Sequence, residues 1–328
     1  MSASLYRYAD GRLPNSLALA YAFGGYAAGF ALLFADSWLL NAAGTLLLGH
    51  AMIVAAYLIH EFAHGTIFAK PAHNTWAGEA CSWLCGSCYA GFQDLRRKHM
   101  RHHVDRADVI TFDTKAFLAR CPRWARRLVL AAEWAYVPAV ELIMHYYVIL
   151  LPFITDNPRH RANRRRVALT LLVRGALFAL VAAVSLKALL LYFVAWTLMI
   201  IVLRFTDAYQ HTYDAFAVLE DGGKIPDDKS RDRTYEQMNT YSNVGSVRWP
   251  VLDLLLLNFA YHRLRKLHHE LYGDGYAQVL PMHLLFKGFH RHRLRRVVDD
   301  HYGEVAPEGK DRADGFYGAV GVSFLTAV

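Results

Sequence analysis

Histidine clusters are the chemistry-bearing feature of this chain. In HEFAH, His60 and His64 stand one helical turn apart on one face, at about 6 Å. RRKHMRHHVD repeats that spacing with His99 against His102 or His103. His211, His262, the pair His268 and His269, and His283 follow later in the chain. Neutral imidazole is a borderline ligand that suits iron, zinc, copper or nickel. One metal takes about three or four such ligands. A set this large calls for two metals in a nitrogen-rich site.

Such a site needs elements to aim its ligands, and the hydropathy pattern supplies them. Hydrophobic residues make up 55% of the 328 positions, and the mean hydropathy is positive. The apolar residues gather in long blocks, as in membrane proteins. Residues 16–35 and 37–59 carry no charge and are each long enough to cross a hydrocarbon core of about 30 Å. Asp36 separates them, so they predict a tight hairpin, and HEFAH lies at its exit. Residues 167–186, interrupted by Arg174, and 188–204 predict a second hairpin broken at Lys187, with His211 beyond its exit. Arg174 is expected to snorkel toward the cytoplasmic end. Residues 68–92 and 134–155 predict interfacial or re-entrant helices, the latter because Pro138, Glu141 and His145 would be costly in lipid.

Net charge is +8, with cations crowded at Arg123–Arg127, Arg159–Arg166 and Arg291–Arg296. Beside membrane spans such clusters follow the positive-inside rule, and no nucleic-acid partner is expected. HRHRLRR is expected to lie near lipid headgroups. The N-terminus reads as polar, without a cleavable signal, and is expected in the cytoplasm. Cys81, Cys85 and Cys88 resemble part of a metal motif but lack a fourth close ligand, so they read as buried small residues rather than a disulfide framework.

HEFAH, then HMRHH, a lone His after the fourth span and a late HH pair resemble the membrane fatty acid desaturase and hydroxylase superfamily. Its members carry HxxxH, HxxHH and HxxHH boxes, and RHHVDRADVITFD is similar to bacterial members. The resemblance runs from about Ser37 to His283. It implies an all-α integral membrane enzyme with four spans in two hairpins, interfacial helices, and a cytoplasmic histidine-rich cap over 60–166 and 205–300. The whole chain, 1–328, would be one domain in a bacterial inner membrane. It also implies a non-haem di-iron centre that uses O2 to remove hydrogen from an acyl chain.

Carried over by position, the metal ligands are His60, His64, His99, His102, His103, His211, His268 and His269. The third box departs from the family pattern. Arg265 stands where a His is wanted, and His262 is the nearest candidate. Glu61 and Asn258 are the catalytic candidates, Asn258 as holder of a metal-bound water. Glu61, Asp105, Asp108, Asp207 and Glu270 can orient ligand imidazoles. His50, inside the second span, is expected to bond to a neighbouring helix. His73, His145, His160, His290, His292 and His301 are assigned surface or structural roles. Neither a fused cytochrome b5 signature nor a nucleotide-binding loop occurs, so electrons must come from a separate ferredoxin, rubredoxin or cytochrome b5. Arg96, Arg97 and Arg101 are the expected docking surface.

Other readings stay open. HEFAH is also HExxH, in which two His bind zinc and the Glu is the general base. Glu61 and His64 form the ExxH of carboxylate di-iron bundles, but no second ExxH occurs. A transporter would place ionisable groups near mid-membrane, whereas these clusters sit at helix exits. A hydroxylase would use the same ligands as a desaturase.

Overall fold

The computed structural model describes residues 5–105, 108–110, 114–210, 215–217 and 282–298. Asn258, His211, His262, His268, His269, Glu270 and His301 lie outside them. The chain packs as two compact units, one of residues 1–100, 145–200 and 324–328, the other of 101–144 and 201–323.

The described chain is mostly helical. In order it forms α1 (Arg12–Leu32), α2 (Trp38–His64), α3 (Pro71–Cys85) and α4 (Phe92–Asp105), then α5 (Thr114–Arg120), α6 (Arg123–Trp134), α7 (Ala139–Ile154) and α8 (Pro158–Ala162). These are followed by α9 (Arg164–Val184), α10 (Leu186–Gln210), α11 (Met282–Arg291) and α12 (Arg295–Val298). Two three-residue strands, β1 (Asp108–Ile110) and β2 (Ala215–Ala217), pair in parallel and were not expected in an all-α chain.

Among the described residues three helices are long and apolar enough to cross a membrane: α2, α9, and α10 as far as Thr206. There are four if α6 and α7 count as one broken span. α1 is not among them. It begins at Arg12 and ends at Leu32, so Arg12, Pro14 and Asn15 take the place of Leu33, Phe34 and Ala35. Its helical part is therefore less apolar than the uncharged run 16–35.

In the first unit, glycines set the helix spacing. At Gly29 a Cβ would stand 2.7 Å from Leu48 N, and at Gly44 one would stand 2.6 Å from Leu32 Cβ, so α1 and α2 are nearly in backbone contact. Asn41 Nδ2 donates to the carbonyls of Leu32, Leu33 and Ala35 at 2.9–3.2 Å, satisfying the open end of α1. Lys187, in the α9–α10 turn, donates to Ala35 O at 2.6 Å, so both hairpin turns sit side by side. His50 meets Tyr21 Oη at 2.5 Å, from α2 to α1.

Arg174 does not snorkel. It is 9% exposed and donates Nη1 to Trp83 O at 3.1 Å and to Cys88 Sγ at 3.7 Å. Its Nη1 thus finds its partners, the Trp83 carbonyl and the Cys88 sulfur, within the protein rather than at the cytoplasmic end. Cys81, Cys85 and Cys88 are buried and free. Burial pushes the Cys81 thiol up to about 12 and raises those of Cys85 and Cys88.

In the second unit, Leu118, Val140, Met144 and Val297 form a small core, with Val129 packed against it. Glu133 is buried there. Oε2 accepts from Arg204 Nη1 at 2.9 Å and Oε1 from Val140 N at 2.8 Å.

Candidate metal centre

The second apolar run does not stop where its charge-free stretch does. α2 continues through His64, and Gly65, at φ +66°, ends it in the left-handed conformation that glycine adopts without cost. His60, Glu61 and His64 therefore occupy its last turn. α4 carries His99 and, further along, His102 and His103.

His60, His64 and His99 come together, each offering a ring nitrogen, all within 4.8 Å of one another. Their ring centroids are 4.4–4.8 Å apart. His64 Nε2 and His99 Nε2 approach to 2.8 Å. Two nitrogens bound to one metal at about 2.1 Å and near a right angle are about 3 Å apart. The donor set thus fits a metal that accepts imidazole, and among the described residues the cluster is all histidine.

Behind the imidazoles stands Glu61, 2% exposed. Its Oε1 is 3.2 Å from His60 Nδ1, and its Oε2 accepts from Thr66 Oγ1 at 2.5 Å. With the carboxylate ionised, the proton of His60 sits on Nδ1 and Nε2 keeps its lone pair. Both carboxylate oxygens are thus engaged, one toward His60 and one by Thr66.

Three contacts position these ligands from a distance. Arg96 Nε donates to Ala63 O at 2.8 Å, tying α4 to the last turn of α2. Glu79 Oε1 accepts from Phe92 N at 2.9 Å, occupying an open donor at the start of α4, while its Oε2 takes Arg166 Nη2 at 2.7 Å. Gly78 makes room for the Phe92 ring, which a Cβ would strike.

The third contact is an N-terminal strap. Arg7 N donates to Ile67 O at 2.9 Å and Ala69 N to Leu5 O at 3.0 Å, beside the box turn. Arg7 Nη1 donates to Gly65 O at 2.8 Å, a cation at the C-terminal end of α2. Tyr6 stacks on Phe68, which stacks on Phe62 of the box.

A fatty acid desaturase family model matches residues 36–297. The chain belongs to the fatty acid desaturase family. It is therefore an integral membrane oxidoreductase of the fatty acyl class, from a family whose catalysis depends on metal. No curated relative and no solved structure matches.

Within that family frame, His60, His64 and His99 are the described candidates that the fold assembles. The backbone of His102 and His103 continues α4. Asp108 begins β1, and Asp207 lies in α10. Of the expected docking cations, Arg96 is committed to Ala63 O, and Arg97 pairs with Asp94 at 2.8 Å. Thr66, Arg7, Glu79 and Arg166 escaped the sequence. Only Gly65, a helix-stop directly after HEFAH, signalled that the residues beyond it turn back toward the box.

Proposed function

We propose that this member of the family is an O2-dependent desaturase of a lipid acyl chain. The convergence of three imidazoles from α2 and α4, with Glu61 behind His60, is the observation that supports it. His60, His64, His99, His102, His103, His211, His268, His269 and, in place of the missing box residue, His262 would hold two irons. When bound, these would reduce O2 with electrons from a separate donor and supply the oxidant that takes hydrogen from an unactivated methylene.

The protein's own residues have defined tasks. Glu61 fixes the proton of His60 on Nδ1, and Thr66 fixes Glu61. His64 and His99 bring their Nε2 atoms to 2.8 Å, and each would offer that nitrogen's lone pair to a metal with its own proton carried on Nδ1. Asn258 would hold a metal-bound water. The spans would present the acyl chain from the bilayer, and their lining would decide which methylene is reached. The site would face the cytoplasm of a bacterial inner membrane, and a ferredoxin, rubredoxin or cytochrome b5 would deliver electrons.

The test is product analysis with purified protein, O2, a reduced donor and an acyl lipid. A new double bond formed only with O2 supports the assignment. A new alcohol makes the enzyme a hydroxylase on the same ligands. Peptide cleavage without O2 would replace both with the zinc protease.

A further inference from the structure

Among the described side chains of the second unit, exposed charge has one sign. Both carboxylates among them, Glu133 and Glu141, are buried, at 4% and 2% exposure. Arg120, Arg123, Arg126, Arg127, Lys287 and Arg291 are exposed. Glu133 is spent on Arg204 and on the backbone of Val140, so it neutralises none of them.

The same surface is aromatic and apolar. Trp124, Leu128 and Trp134 of α6 are 68%, 62% and 60% exposed. Trp124 and Leu128 are one turn apart, as are Arg123 and Arg127, so an apolar stripe runs beside a cationic one on the same short helix. Arg293 lies over the Trp134 ring, 5.4 Å from its centre, and donates to Trp134 O at 3.1 Å. Tyr136 Oη meets His290 Nδ1 at 2.6 Å. These contacts lock the end of α6 to α11 and the turn after it, joining both sets of cations in one packed body. Burial first, and then the nearby Arg296, Arg291 and Arg295, lower the pKa of His292.

We infer that α6 and α11 form a binding face for anionic phospholipid headgroups. Tryptophan and leucine flanked by arginine suit the boundary between headgroups and acyl chains, where the rings reach apolar matter and the guanidinium groups reach phosphate. A zwitterionic bilayer would satisfy the rings and leave the cations without net counter-charge. An acidic soluble protein would match the cations but would gain less from Trp124 and Leu128 than a bilayer does. Each arginine near an anionic surface strengthens association about fivefold at low salt.

The experiment uses the full-length protein in nanodiscs containing brominated phosphatidylglycerol or brominated phosphatidylcholine. Tryptophan quenching is assigned to α6 by comparison with Trp124→Phe. Quenching of Trp124 should be stronger with phosphatidylglycerol, and the preference should fall at least about fivefold in Arg123→Gln/Arg126→Gln/Arg127→Gln and weaken with salt. Equal quenching by both lipids overturns the inference. So does a preference that survives in the triple variant while donor-dependent turnover is lost, which would make the face a protein-docking site. Metal content of the triple variant, measured alongside, separates loss of lipid preference from loss of fold. Because quenching does not depend on turnover, this result stands or falls apart from the desaturase proposal.

Discussion

His64 of α2 and His99 of α4 aim their Nε2 atoms at each other across 2.8 Å, although 35 residues separate them in the chain. Neither helix can supply that pair alone, so metal binding depends on how α4 is seated against the end of α2.

Replacing His99 by Ala should therefore strip metal and abolish activity while leaving the helical content of the detergent-solubilised protein intact. Elemental analysis and circular dichroism check both halves. Full metal content in this variant would remove His99 from the ligand set.

Glu61→Gln keeps a similar shape but cannot hold the proton of His60 by charge. Residues that orient ligands typically cost about 10–100-fold in metal affinity or activity when changed. A partial loss within that range is expected, measured as turnover against free iron concentration. Thr66→Val should act in the same direction through Glu61. A zinc protease would instead lose essentially all activity at Glu61→Gln.

The spans and the box were legible for different reasons. The runs behind α2, α9 and α10 are uncharged or nearly so over about 20 residues, and lipid forces such a run to satisfy its backbone as helix. His60 and His64 share a face because nothing between Ile59 and His64 breaks the helix. α1 was placed less well, since its start at Arg12 depends on the N-terminal segment and its end at Leu32 on Asn41. Snorkelling was the wrong expectation for Arg174, because the carbonyl of Trp83 and the thiol of Cys88 come from far away in sequence. The same distance hid Arg7, Glu79 and Arg166. Their partners are 58, 13 and 87 residues off, and no local spacing encodes them.

Arg7→Ala should loosen the turn after HEFAH. A helix-end cation contributes about 0.3–1 kcal/mol, so the fold should persist while iron dissociates faster. Chelator-challenge kinetics would show it, and Arg7→Lys should recover part of the retention. Unchanged iron release in Arg7→Ala would make the strap irrelevant to the site.

Glu79→Ala should do more. The exposed part of its pairing with Arg166 contributes only about 0.2–1 kcal/mol, but the hydrogen bond from Phe92 N to its carboxylate adds about 1.5–3 kcal/mol. Thermal unfolding should fall accordingly, with metal loading falling in parallel as α4 loses its anchor. Gly78→Ala, which forces the Phe92 ring to move, should cost about 1–3 kcal/mol by overpacking. Unaltered melting in both variants would sever this corner from the position of His99.

A centre of two irons built on histidine fixes the metal stoichiometry of the protein. Purified full-length protein should hold about two irons per chain, lose activity on chelation and regain it with ferrous iron. About one zinc per chain, with activity indifferent to ferrous iron, would rule out a two-iron centre.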